Sequence, residues 1–249
     1  MTAPMIEVEN VSRAFDMLRA VDGVSLSVGK NEIVGIIGTN GSGKTTLLNL
    51  ITGYLAPTSG RIVFEGTDIT GFGPRRITEL GVARSFQIPQ LYDGLTVLDN
   101  VLIAIAAHSG RASDFWAPMH GRDDLTKADE VLARFALREQ AAATASSLPE
   151  GGRKLLDVAL SVILEPKLLL MDEPTSGVSA RDKFSVMDTL MPALAARHVT
   201  TIFVEHDMEI IERYAQRAVA FDGGRIIADG AVADVLARRD VRRAVLGEE

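Results

Sequence analysis

Apolar positions along the chain fall into short runs, and their spacing switches between a period of two and one near 3.6. Residues 6–11 and 24–28 alternate apolar and polar, as half-exposed strands do. Glu32-Ile33-Val34-Gly35-Ile36-Ile37 and Lys167-Leu168-Leu169-Leu170-Met171 are instead almost continuously apolar, which suits strands covered on both faces. Residues 61–66, 82–86, 200–204, 217–221 and 225–228 add further strands, the last two joined by the hairpin signal Asp222-Gly223-Gly224. Helical spacing predicts helices starting at Thr46 and over residues 75–80, 96–107, 126–137, about 147–164 and 181–197, with Pro192 bending the last of these. Residues 231–246 close the chain with helices. The middle third carries little strand pattern and reads as a helical subdomain. Within it, residues 109–124, with the single tryptophan Trp116 and Pro118, read as an irregular excursion. The division predicted is a core of residues 1–87 and 165–230 with an antiparallel N-terminal part, a helical insertion at 88–164, and C-terminal helices at 231–249.

Between the strand ending at Ile37 and the helix starting at Thr46 lies Gly38-Thr39-Asn40-Gly41-Ser42-Gly43-Lys44-Thr45, which fits G-x-x-x-x-G-K-[ST]. Strand, loop and helix in that order form the context of a phosphate-binding P-loop. Glycines let consecutive N–H groups turn toward an anion, and the positive end of the new helix points at the same place. Gly38, Asn40, Gly41, Ser42, Gly43, Lys44, Thr45 and Thr46 are the phosphate-binding candidates. Lys44 would reach the β- and γ-phosphates of ATP, and the Thr45 hydroxyl would take a place on Mg²⁺. The fold class is therefore α/β: a P-loop NTPase core, a mixed sheet flanked by helices, with an inserted helical subdomain.

Charge narrows the partners. The net charge is −7 and the isoelectric point is near 5.2, which argues against nucleic acid as a partner, since phosphate contacts need clustered Lys and Arg. The chain has no cysteine, and His108, His120, His198 and His206 show no metal-ligand spacing. No secretory signal pattern opens the chain, and no apolar run reaches the roughly 18 residues of a membrane span. The expected location is cytosolic, or on a membrane through partners alone.

Polar groups at strand exits supply the remaining candidates. Asp172 and Glu173 follow a buried strand, where an Asp can hold Mg²⁺ and a Glu can position and deprotonate a water. The bland alternative, an acid capping the next turn, is the weaker one beside a P-loop. Gln87 ends the strand at 82–86, at the sheet edge where open α/β folds bind ligands; alone it would read as a solvated loop residue. His206 follows the strand at 200–204 and could bridge the γ-phosphate and the attacking water. Its alternative is a helix-start or packing residue. Phe15 reads equally as a base-stacking ring and as a core-rim residue.

Taken in order, residues 38–45, Gln87, 148–153, 170–173 and His206 resemble the motif series of ATP-binding subunits of ABC transporters over essentially the whole chain. The resemblance implies a RecA-like core and two such subunits acting together, each ATP lying between the P-loop of one and the signature helix of the other. It places Pro149 and Gly151 of Leu148-Pro149-Glu150-Gly151-Gly152 in the signature motif, Gln87 on Mg²⁺ and the water, Gly177-Val178-Ser179 at the D-loop, and His206 as the switch histidine. Phe15 matches the aromatic that stacks on adenine. Val82-Ala83-Arg84-Ser85-Phe86-Gln87, the Leu-Pro-x-Gly form and the ending Val245-Leu246-Gly247-Glu248 are similar to subunits of branched-chain amino acid importers. Implied partners are membrane permease subunits, a second ATPase subunit and, indirectly, a periplasmic solute-binding protein. The implied location is peripheral, on the cytoplasmic face of the inner membrane.

The signature departs from the family's Leu-Ser-Gly-Gly-Gln. Pro149 removes a hydroxyl donor, and Glu150 would face phosphate unless it caps its own helix. Ser147 and Glu150 have the S-x-x-E spacing of a capping box, the preferred reading here. A partner ATPase carrying a complete signature follows as the expectation, and Ser179 stands where many relatives have Asp. The alternatives are an exporter or lipid-transport ATPase, a soluble non-transport ABC ATPase, and a P-loop module that binds without hydrolysis.

Overall fold

The structure, a computed structural model, describes residues 3–109 and 121–246. Trp116, Pro118, His120, Gly247 and Glu248 lie outside the described residues. The chain resolves into two compact units. The first is Met1–Arg84, Lys167–Glu173 and His198–Glu249; the second is Ser85–Pro166 and Pro174–Arg197.

The first unit holds two sheets. β1 (Ile6–Phe15), β2 (Leu18–Val28), β4 (Ser59–Phe64) and β5 (Thr67–Asp68) form an antiparallel sheet in the order β2-β1-β4-β5. The second sheet is mixed, in the order β10-β9-β3-β8-β7-β6. Its members are β3 (Ile33–Gly38), β6 (Val82–Ser85), β7 (Leu168–Asp172), β8 (Thr200–Val204), β9 (Arg217–Asp222) and β10 (Arg225–Ala231). β3, β7, β8 and β9 run parallel, and β10 returns antiparallel to β9. Every residue of β7 and all of β3 after Ile33 are buried, which is why these two strands read as nearly unbroken apolar runs rather than alternations. The Asp222–Arg225 hairpin turns on Gly223 and Gly224, both at positive φ, as two-residue hairpins with the favoured twist require. Helix α1 (Lys44–Ile51) buries Leu47, Leu48, Leu50 and Ile51 and follows the P-loop directly, and the short α2 (Pro74–Glu79) precedes β6. The parallel strands therefore place their C-terminal ends, and the acids that follow them, on the side where the P-loop turns.

The second unit is helical. α3 (Val97–His108) starts at a true capping box: Thr96 Oγ1 accepts the Asp99 N–H and Asp99 accepts the Thr96 N–H. α4 (Arg122–Arg134) begins inside the stretch read as irregular, because Asp124 accepts the Gly121 N–H at 2.7 Å and fixes the helix start there. α5 (Glu150–Ile163) and α6 (Lys183–Ala195, with Pro192 inside) pack on each other. That packing draws residues 174–197 into the helical unit, whereas the sequence division assigned them to the core. Among the described residues no helix is long and apolar enough to cross a membrane.

Candidate active site

A cavity of about 130 Å³ is lined by Ala20, the P-loop residues 40–46, Glu173 and His206. The loop conformation depends on Gly43, the N-cap of α1, at φ +107°. A Cβ there would lie 2.2 Å from the Ala20 carbonyl oxygen, so only glycine fits. No side chain caps α1, and its first-turn residues Lys44, Thr45 and Thr46 line the cavity with their N–H groups unclaimed by a cap. Lys44 is buried; Nζ donates to Gly38 O at 2.7 Å and Thr39 O at 2.8 Å. Burial pulls its ammonium below the ordinary lysine value, while Glu173 and Asp172 hold it up. A buried cation and a helix start without a side-chain cap, both on the wall of one cavity, together suit a polyphosphate.

Asp172 closes β7. Thr45 Oγ1 lies 3.4 Å from its Oδ1, and Arg84 Nη2 donates to its Oδ2 at 2.7 Å. Arg84 Nη1 also donates to Asn49 Oδ1 at 2.5 Å. The Arg84–Asp172 pair is almost fully buried, at 5% and 4% side-chain exposure. Arginine thus fixes one carboxylate oxygen and leaves the other toward Thr45. A hydroxyl and a carboxylate oxygen side by side are hard donors suited to Mg²⁺. Sequence reading quoted Arg84 only within the run 82–87 and gave neither it nor Asn49 a role at the site; the available signal was a cation in the middle of the short strand Val82–Ser85. Replacing Arg84 by Lys keeps the charge but cannot span Asn49 and Asp172 together. The expected loss is about 1.5–3 kcal/mol of stability, the range for hydrogen bonds to charged groups, read as a shifted urea midpoint at constant slope.

Glu173 has left the strand and sits at φ +51°, its N–H bonded to Val204 O at 3.0 Å. That left-handed backbone costs of order 1–3 kcal/mol in a non-glycine residue, and such strain gathers at functional positions. His206 Nε2 lies 2.7 Å from Glu173 Oε1; in the Nε2–H tautomer the ring donates to the carboxylate. Lys44, Thr45, Asp172, Glu173 and His206 therefore lie close together. Phe15 is not among the residues lining the cavity. It ends β1 with 41% exposure, and the Arg13 guanidinium lies 4.8 Å from its ring centre.

Gln87, Pro149 and Gly151 belong to the second unit. Gln87 is exposed. The capping-box reading of Glu150 is corrected here. The N-cap of α5 is Pro149, with no side-chain cap, so Glu150 is the first helical residue and stands two positions short of the place that could reach back. Ser147 lies in a preceding 3₁₀ turn, where its Oγ donates to Thr144 O at 2.7 Å. Glu150 instead packs at Gly177, whose hypothetical Cβ would lie 3.2 Å from Glu150 Cγ. Ser179 Oγ donates to Asp182 at 2.7 Å, ahead of α6.

Residues 21–176 match the family described as ABC transporter. The chain is similar to the high-affinity branched-chain amino acid transport ATP-binding protein BraF of Pseudomonas aeruginosa, 32% identical with all of both chains covered. It is likewise similar to LivG of Escherichia coli, a high-affinity branched-chain amino acid transport ATP-binding protein, 33% identical with all of both chains covered. Among solved structures, one ADP conformation of an ATP-binding cassette of an ABC transporter superposes with a TM-score of 0.86 at 32% identity, covering 99% of this chain and 100% of that one.

Proposed function

The chain belongs to the ABC transporter family, and from that premise we propose that it is the ATPase subunit of a solute importer whose solutes are branched-chain amino acids or related small molecules. The observation that carries the hydrolytic reading is the Glu173–His206 pair at 2.7 Å on the wall of the cavity that Lys44 and the P-loop line. Gly38, Asn40, Gly41, Ser42, Gly43 and Thr46 cradle the phosphates of ATP through backbone donors, and Lys44 gives up its carbonyl partners for the β- and γ-phosphoryl oxygens. Phe15 stacks on the adenine. Thr45 and Asp172, with Gln87 as a further oxygen, would hold Mg²⁺, which when bound neutralises charge on the phosphoryl oxygens. Glu173 takes a proton from water as the water oxygen bonds to the γ-phosphorus and the bond to the β,γ-bridging oxygen breaks. His206 orients the Glu173 carboxylate, and Lys44 stabilises the charge that develops.

The importer reading supplies the partners. Permease subunits convert the ATP cycle into solute movement, and the subunit works from the cytoplasmic face of the membrane; the relatives' names as transport ATP-binding proteins support the pairing with a permease. A periplasmic solute-binding protein acts indirectly, and nucleic acid has no part. Pro149 and Gly151 meet the nucleotide held by a second ATPase subunit, a different chain with a complete signature, so the two ATP sites are unequal. Isothermal calorimetry with Mg-ATP tests the premise of the whole scheme: the wild type should give a binding isotherm, and Lys44→Met should weaken it at least about tenfold, one phosphate-directed charge-assisted contact being about 1.5–3 kcal/mol. A folded wild type that produces no heat with ATP would end it.

A further inference from the structure

Residues 86–90 have no regular secondary structure of their own, yet their backbone is held at three points by one helix. Asp157 Oδ2 accepts the Phe86 N–H at 3.2 Å and Asp157 Oδ1 accepts the Gln90 N–H at 3.1 Å. Lys154 Nζ donates to the Gln87 carbonyl oxygen. Both side chains are on α5, three residues apart and so on one face, and both are more than nine-tenths buried, at 2% and 6% exposure. Pro89, between the clamped positions, has no N–H to satisfy. The same helix starts at Glu150, directly after Pro149. All of these residues lie within the second unit.

We propose that Lys154 and Asp157 are positioning residues that fasten the Gln87 loop to the signature helix, so that Gln87 and the helix start move as one body. The proposal rests on the role given to Gln87 above. Two buried ions are an expensive way to fill space, since an apolar pair of similar volume is often as stable; what the ions add is a fixed backbone geometry. A carboxylate accepting two N–H groups and an ammonium on the intervening carbonyl determine where the Gln87 side chain leaves the loop, while that side chain stays exposed. Burial pushes the Asp157 carboxyl up to about 6, and the Gln90 and Phe86 N–H donors pull the other way; at neutral pH it is ionised and can accept both. A nucleotide-driven displacement felt at Gln87 is thereby transmitted to Pro149 and Gly151 without any hinge between them.

The test uses the full chain with its partner subunits. In Asp157→Ala, amide exchange at Phe86 and Gln90 should quicken at least about tenfold while exchange along Ile33–Gly38 stays unchanged. kcat for ATP should fall about five- to tenfold with ATP affinity within twofold, and adding Gln87→Ala should cause no further loss. Lys154→Met should give the same non-additive pattern. If Asp157→Ala does not fold, Asp157→Asn keeps one acceptor and should give an intermediate increase in exchange. Unchanged exchange at both amides, or a loss that multiplies with that of Gln87→Ala, would overturn the proposal. A Gln87→Ala chain with wild-type kcat would instead remove the role of Gln87, and the exchange measurement would separate that failure from a failure of the clamp.

Discussion

A Glu173→Gln chain is expected to bind ATP as the wild type does and to hydrolyse it about 10²- to 10⁴-fold more slowly, the range general-base catalysis contributes. The geometry confines the effect to the chemical step. Glu173 is held by its own backbone bond to Val204 O and by His206, neither of which a glutamine side chain of the same shape must disturb. The loop contacts that bind phosphate come from other residues, so affinity should persist while turnover stops. Single-turnover hydrolysis and nucleotide retention on the same sample check both halves. His206→Ala should lose less than Glu173→Gln, because it removes the residue that orients the base and leaves the base in place. Unimpaired hydrolysis in Glu173→Gln would displace Glu173 from the mechanism; joint loss of binding and turnover would make it a structural residue of the cavity wall.

What could be read from the sequence was whatever the chain specifies over a few neighbouring residues. The P-loop is contiguous, and the pair Asp172-Glu173 follows four apolar residues, so both announce themselves locally. The clustering of Lys44, Glu173 and His206 then follows from how parallel strands align their exits, whereas the order β10-β9-β3-β8-β7-β6 comes from the structure alone. Three features needed the fold. Arg84 meets Asp172 across 88 residues, and nothing in either neighbourhood names the other. Lys154 and Asp157 read as ordinary charges on a helix until the loop they hold is in place. Glu150 was misread because the S-x-x-E pattern presumes that the helix starts at Ser147, whereas the 3₁₀ turn at Ala145–Ser147 consumes those residues first. Helix starts are set by such tertiary choices as much as by local pattern.

The second large effect concerns the signature. The isolated chain should turn over feebly, and Pro149→Ser combined with Glu150→Gly should raise its rate by about 10²-fold, since one well-placed donor to the developing oxyanion is worth about 2.7–4 kcal/mol. The observed helix start makes the comparison clean. Pro149 is the N-cap, so a serine there both caps the helix, worth about 0.5–2 kcal/mol, and directs a hydroxyl outward. Removing Glu150 from the first helical position forfeits about 0.3–1 kcal/mol of dipole interaction and introduces glycine. The two stability changes oppose each other, so a rate change of this size cannot be a folding effect. Because Glu150 packs at Gly177 rather than folding back on Ser147, its replacement also frees the turn that precedes Ser179. Steady-state ATPase of the isolated wild type and double variant, with unfolding midpoints alongside, decides it. Brisk, cooperative turnover by the wild type alone, unmoved by the double substitution, would refute the pairing with a second, unlike ATPase subunit and make Leu148-Pro149-Glu150-Gly151-Gly152 a competent signature as it stands.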